Sequence, residues 1–223
     1  MKKSGQGDFD LESDKKRALA LTPVSRETEK RLLMFVELLL LWQSKFNLVA
    51  SSTLPQIWTR HIADSLQLLA LALEARVWVD FGSGAGFPGV PVACALADKP
   101  GTMVHLVESV GKKANFLREV VSTLGLPAQV HQERAEKFGE TCAETVHVVT
   151  ARALAPLKTL CDQAFPLIAK GAVGLFPKGQ DVAAELTEAA KYWRLEASLV
   201  PSVTNPASAI VVVRGLKRLG KKR

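Results

Sequence analysis

The sequence predicts an α/β fold, a seven-stranded, mostly parallel sheet with an antiparallel C-terminal hairpin and an N-terminal helical extension. Three observations carry this. From Val77 onward β-rich and helical stretches alternate, the pattern that builds a parallel sheet with crossover helices. Only a Pro- and Ser-containing turn separates the last two β-rich stretches, so they should pair antiparallel. Ahead of the alternation lies a Leu-rich helical region without a strand pattern.

Taken in order, residues 1–22 are polar and charged with no clear period, which predicts a flexible charged extension. Ser25-Arg26-Glu27-Thr28 then offers an N-cap to a run of leucines reaching Trp42, a buried helix. Pro55 opens a second helical segment through Ile57, Ile62, Leu66 and Leu69, so residues 23–76 are expected to form a helical subdomain. Strands are expected at Val77–Phe81, Met103–Glu108, Ala128–Gln132, Val146–Thr150, Val173–Pro177, Glu196–Val200 and Ala209–Arg214. The helices between them should lie at Pro88–Leu96, Lys112–Leu124, Ala135–Thr141, Pro156–Ile168 and Val182–Trp193. Residues 77–215 thus make the α/β domain and residues 216–223 a basic tail.

Nearly half of the 223 residues are hydrophobic and 23% are charged, which excludes a disordered or fibrous chain. The formal charge of +7 favours a polyanionic partner without identifying one. Arg214, Lys217, Arg218, Lys221, Lys222 and Arg223 crowd the C-terminus, where phosphate contact and a merely solvated tail are both open. Cys94, Cys142 and Cys161 are odd in number and far apart, so neither a disulfide framework nor a zinc site is indicated and a reducing cytoplasm fits. The apolar run Leu32–Trp42 contains Glu37 and falls well short of the ~20 residues of a spanning helix, so no membrane role is expected.

The strongest local signal is Val77-Trp78-Val79-Asp80-Phe81 running into Gly82-Ser83-Gly84-Ala85-Gly86-Phe87-Pro88-Gly89. A strand turning sharply into a helix needs glycines for positive φ and for close approach of backbone to a ligand. A dinucleotide site wants a glycine where Phe87 stands, so a nucleoside cofactor fits better, and an oxidoreductase is disfavoured. Glu108 closes the next expected strand at roughly the ~20-residue spacing at which a carboxylate takes ribose hydroxyls. Its alternative role, capping the Lys-rich helix that follows, can coexist with the first. Gln132-Glu133-Arg134-Ala135-Glu136, after the third strand, lies where such a sheet places an adenine edge.

Together with Phe46-Asn47-Leu48-Val49, Arg60-His61-Ile62-Ala63-Asp64-Ser65, Glu108-Ser109-x-x-Lys112-Lys113-x-x-Phe116-Leu117, Thr150-Ala151-Arg152-Ala153 and Lys178-Gly179, the glycine segment resembles one family over roughly residues 24–215. That family is the glucose-inhibited division protein B family of bacterial small-subunit ribosomal RNA guanine-N7 methyltransferases. The resemblance implies a class I Rossmann-like methyltransferase domain over residues 77–215, S-adenosylmethionine (S-adenosyl-L-methionine) as cofactor, and small-subunit (16S) ribosomal RNA or an assembling ribosomal subunit as partner. It places the cofactor at Gly82, Phe87, Ala135, Glu136 and Arg152, to which the spacing argument adds Gly84 and Glu108. Thr150-Ala151 departs from the Ser often found before the Arg-Ala pair. A monomeric, cytoplasmic enzyme is expected.

Guanine N7 carries a lone pair and no proton, so methyl transfer to it needs alignment rather than a general base. No catalytic triad is therefore expected, and Lys178, Arg60 and His61 are the positioning candidates. Lys178 could meet an RNA phosphate or guanine O6, or be a solvated strand-end lysine. His61 and Asp64 share a helix face and are able to hydrogen-bond each other, as a latch between subdomain and core or as a substrate contact. His105, His131 and His147 lack the pairing of a zinc site, and no metal is expected. The tryptophans read as core or interface aromatics. Two other functions remain open at this point: a methyltransferase of another acceptor, and a cofactor-sensing RNA-binding module without turnover.

Overall fold

The computed structural model describes residues 10–220. Seven strands form one sheet in the order β3-β2-β1-β4-β5-β7-β6. They are β1 (Val77–Phe81), β2 (Met103–Val107), β3 (Ala128–His131), β4 (Val148–Ala151), β5 (Val173–Lys178), β6 (Trp193–Pro201) and β7 (Ala209–Arg218). The first five run parallel, and β7 inserts antiparallel between β5 and β6. The central strands β1 and β4 are Val-rich and buried on both faces, as parallel strands covered by crossover helices must be.

Alternate residues of β1 feed two apolar layers. Trp78 joins α4 (Gly89–Leu96) and α5 (Gly111–Leu124) in one, and Val79 and Phe81 join α6 (Ala135–Thr141) and α7 (Leu157–Ile168) in the other. The short α8 (Val182–Ala189) flanks α7 on that second face. The first layer also takes Leu32, Phe35 and Leu39 of α2 (Arg26–Gln43), together with Ile57, Trp58 and Ile62, so the N-terminal helices and one sheet face share a continuous core. Ser25 caps α2 as expected, its Oγ accepting the Thr28 N–H at 3.1 Å.

Three expectations are corrected. Residues 1–22 were expected to be a flexible extension, yet α1 (Leu11–Leu21) is a helix capped by Asp10, whose carboxylate accepts the Ser13 N–H at 2.9 Å. Its charged composition hides a narrow inward face of Asp14 and Ala18, both fully buried. Residues 1–9 of that extension lie outside the described residues. The basic tail was expected from residue 216, but β7 continues to Arg218, which pairs with Trp193. The Arg218 guanidinium lies 5.0 Å from the Trp193 ring centroid and 3.6 Å from Asp162, and these partners hold it in the sheet. The same pairing starts β6 at Trp193 and ends α8 at Ala189, earlier than the sequence suggests. Lys221, Lys222 and Arg223 lie outside the described residues.

The third concerns the segment after Pro55, which is composite rather than one α-helix. A 3-10 turn (Ser51–Gln56) leads into a π-helical turn (Trp58–Ala63), one α-turn, α3 (Asp64–Leu66), and a second 3-10 turn (Gln67–Leu71). Such π-turns cluster at functional sites, and this one carries Arg60 and His61.

Candidate active site

Parallel register brings the sequence-predicted residues to one edge. Phe81 pairs with Val107 on one side and Ala151 on the other, and Val107 pairs with His131. The residues one step beyond this row are Gly82, Glu108, Arg152 and Gln132, at the carboxyl ends of four adjacent strands, where open α/β sheets bind ligands. Ala135, buried, and Glu136, exposed, open α6 just past β3. Gln163 donates to Glu136 at 2.8 Å and holds its carboxyl below the usual range.

The turn after β1 needs its glycines. Gly82, Gly84 and Gly86 have φ of 64°, 55° and 93°, a region that costs any residue with a Cβ. A Cβ on Gly82 would come within 2.6 Å of Leu154 Cδ1, and one on Gly86 within 2.7 Å of Val90. Gly89, at the start of α4, is packed tighter still: its Cβ would strike Leu106 and come within 2.8 Å of Asp80 Oδ2. Gly89→Ala is therefore expected to cost about 1–3 kcal/mol by overpacking, a fall of roughly 2–4 °C in thermal midpoint per kcal/mol. A midpoint within one degree of the parent would show that the β1–α4 junction has slack.

Two carboxylates hold this turn. Glu108, 6% exposed, accepts the Gly84 N–H at 2.9 Å through Oε2 and the Val110 N–H at 2.7 Å through Oε1. It thus holds Val110, the residue that precedes α5, and braces the glycine turn, and each oxygen keeps a lone pair for further donors. Asp80 is wholly buried; Oδ2 accepts the Gly89 N–H at 3.1 Å and Oδ1 has no partner. Burial pushes its carboxyl up to about 7. Sequence reading included Asp80 in the motif and assigned it no role.

Arg152 joins the sheet edge to the π-turn. Its Nη1 donates to the Arg60 carbonyl at 3.2 Å and lies 3.5 Å from Asp64 Oδ2, its Nη2 donates to His61 Nδ1 at 2.7 Å, and its guanidinium lies 5.2 Å from the Phe87 ring centroid. The Phe87 ring in turn lies 4.9 Å from His61 and 5.3 Å from Phe35. His61 and Asp64 are joined through Arg152, which stands between them, rather than directly. Asp64 Oδ1 instead accepts from Gln67 at 2.8 Å and from the Thr204 hydroxyl at 2.9 Å, tying the β6–β7 turn into the latch. With Nδ1 accepting from Arg152, the His61 proton sits on Nε2, 2.9 Å from Thr53 Oγ1. Burial, and then Arg152 and Arg60, depress His61 to about 3, so it is neutral.

Lys178 is neither solvated nor free. It donates to the Ala155 carbonyl at 2.7 Å and pairs with Glu185 at 2.7 Å, while Glu185 also accepts the Leu157 N–H at 2.6 Å. This clamp holds the 152–156 loop, in which Ala153 adopts φ 54° and Leu154 lies over Gly82. Arg60, Asp64, Arg152, Lys178 and the 202–208 turn line a cleft of about 720 Å³ beside that loop. Leu154, Gln67 and Thr204 were missed by sequence reading, which has no signal for contacts between distant loops.

His105 bonds His131 at 3.0 Å and Glu144 at 3.0 Å, and His147 Nδ1, just ahead of β4, accepts the Arg76 and Val77 amides, so all three histidines are occupied in the fold. Among the described residues no cluster could hold a metal ion, and Trp58, Trp78 and Trp193 lie in the core.

Residues 28–211 match the family model described as GidB: rRNA small subunit methyltransferase G. The ribosomal RNA small subunit methyltransferase G of Bradyrhizobium sp. (strain ORS 278) is 58% identical over 209 residues, 94% of each chain. That of Nitrobacter hamburgensis is 56% identical over 206 residues, 92% of this chain and 79% of its own. Among solved structures, cofactor-bound Rv0187 from MTB aligns with a TM-score of 0.61 at 15% identity, covering 95% of this chain and 99% of that one. M. jannaschii TYW2 in complex with AdoMet aligns at 0.52 and 15% identity, covering 71% of this chain and 76% of its own. At such identities the likeness is one of fold.

Proposed function

The chain belongs to the rRNA small subunit methyltransferase G family, and from that membership we propose that it transfers a methyl group from S-adenosylmethionine to N7 of a guanosine in small-subunit ribosomal RNA. The observation that carries the reading is the row of Gly82, Glu108 and Arg152 at adjacent strand ends, beside a cleft lined by Arg60, Arg152 and Lys178. The glycine turn, with no side chains at Gly82, Gly84 and Gly86, lets a nucleoside lie against the backbone. When bound, S-adenosylmethionine supplies an electrophilic methyl on a sulfonium sulfur.

The residues divide the remaining work. Gly82 and Gly84 let backbone approach the cofactor, Glu108 offers its free lone pairs to ribose hydroxyls, and the family resemblance places Phe87, Ala135 and Glu136 against the cofactor. Arg152 presents fixed positive charge where cofactor and cleft meet. N7 brings no proton to remove, which agrees with a His61 that is neutral and hydrogen-bonded at both ring nitrogens. The cleft's task is to hold the guanine in line, the proximity effect worth several kcal/mol of barrier. The acceptor is RNA, free or in an assembling subunit, and the enzyme acts as a monomer in the cytoplasm. No helix of the described residues is long and apolar enough to cross a membrane.

The test is transfer of labelled methyl to small-subunit RNA from a strain lacking this protein, with borohydride-aniline cleavage to locate N7-methylguanosine. A single cleavage site is expected. Cofactor binding without RNA methylation would overturn the reading.

A further inference from the structure

The family match begins at residue 28, so helix α1 lies outside the matched segment. Its Asp14 is fully buried, 0% exposed. Oδ2 accepts the Trp58 N–H at 2.9 Å and the Thr59 N–H at 3.2 Å; Oδ1 accepts the Thr59 hydroxyl and the Arg17 guanidinium. Trp58 and Thr59 are the first residues of the π-helical turn, where a helix start needs partners for its amides, and the turn has no side-chain cap of its own. A carboxylate from another helix provides it.

Two residues further on, the same turn presents the Arg60 carbonyl and His61 Nδ1, which hold Arg152 at 3.2 and 2.7 Å, and the His61 ring packs on Phe87. A displacement of the turn therefore moves Arg152 and Phe87 together. We propose that Asp14 is a positioning residue for methyl transfer: α1 is a strap that fixes the π-turn by capping it from outside, and so sets the geometry of the Arg152–His61–Phe87 cluster. This rests on the methyl-transfer reading of the cleft. An apolar face would suffice to dock α1; a buried carboxylate with four donors specifies the position of the backbone it binds.

The experiment compares Asp14→Asn, Thr59→Val and Ala18→Gly in the full-length chain, each assayed well below its thermal midpoint. Asparagine keeps the size but offers one acceptor oxygen, Thr59→Val removes only the hydroxyl bond, and Ala18→Gly weakens α1 without touching the cap. Expected for Asp14→Asn is a fall in kcat of about tenfold, larger than the accompanying changes in KM for RNA and cofactor Kd. Thr59→Val should lose about threefold in kcat, and Ala18→Gly should keep the parent kcat while lowering the midpoint. An unchanged kcat in Thr59→Val, or equal losses in Asp14→Asn and Ala18→Gly, would overturn the strap while leaving the function standing. Absence of transfer by the unmodified chain would sink both.

Discussion

Replacing Arg152 with alanine is expected to slow methyl transfer by about a hundredfold and to destabilise the protein by about 3 kcal/mol. The side chain is largely buried, 19% exposed, and binds three groups at once: the Arg60 carbonyl, His61 Nδ1 and the Asp64 carboxylate. Its loss leaves Asp64, 17% exposed, without its countercharge and the His61 nitrogen without its donor. The rate falls because the same guanidinium packs on Phe87 at the exit of the glycine turn. Arg152→Lys separates the two effects: an ammonium restores charge near Asp64 but cannot reach the carbonyl, the imidazole and the ring together. It should recover part of the midpoint and little of the rate. Thermal melts with single-turnover assays decide this, and a wild-type rate in Arg152→Ala would remove the arginine from the site.

The sheet was legible because its strands are Val-rich runs separated by helical periods, and the terminal turn is too short for a crossover. The glycine turn was legible for a different reason: positive φ leaves a compositional trace, and Gly82, Gly84 and Gly86 all adopt it. Helix α1 was hidden because its inward face is two residues wide and one of them is an aspartate, whose burial depends on amides that are distant in sequence. The signal that could have found it is Asp10, an N-cap residue with Glu12 and Asp14 in the first turn. The partners of Arg152 and Lys178 were not legible, because residue type does not say whether a cation is spent on protein or on ligand. The structure binds both internally, Lys178 to Glu185 and Ala155, and Arg152 to the π-turn.

Two groups of the site, the buried Asp80 and the half-buried His61, should pull stability in opposite directions as pH changes, and removing one should unmask the other. Asp80 titrates at about 7 in the folded protein because it is buried, against an ordinary carboxyl near 3.8. Between pH 4 and 7 the unfolded chain gives up this proton and the folded one keeps it, so stability falls as pH rises, by on the order of 4 kcal/mol in full. His61 is depressed to about 3, chiefly by burial, from 6.5. Over nearly the same window the unfolded chain holds a proton that the folded one lacks, so stability rises with pH. His131, lowered chiefly by burial, adds to that rise. The opposing slopes largely cancel in the parent. Asp80→Asn deletes the falling one, so the variant should gain stability steadily from pH 4.5 to 6.5 and exceed the parent above pH 7. His61→Gln deletes the main rising slope and should lose stability over the same range. Denaturant midpoints at half-unit pH steps read both curves. Parallel curves for the parent and Asp80→Asn would mean that Asp80 ionises in the fold as readily as in water.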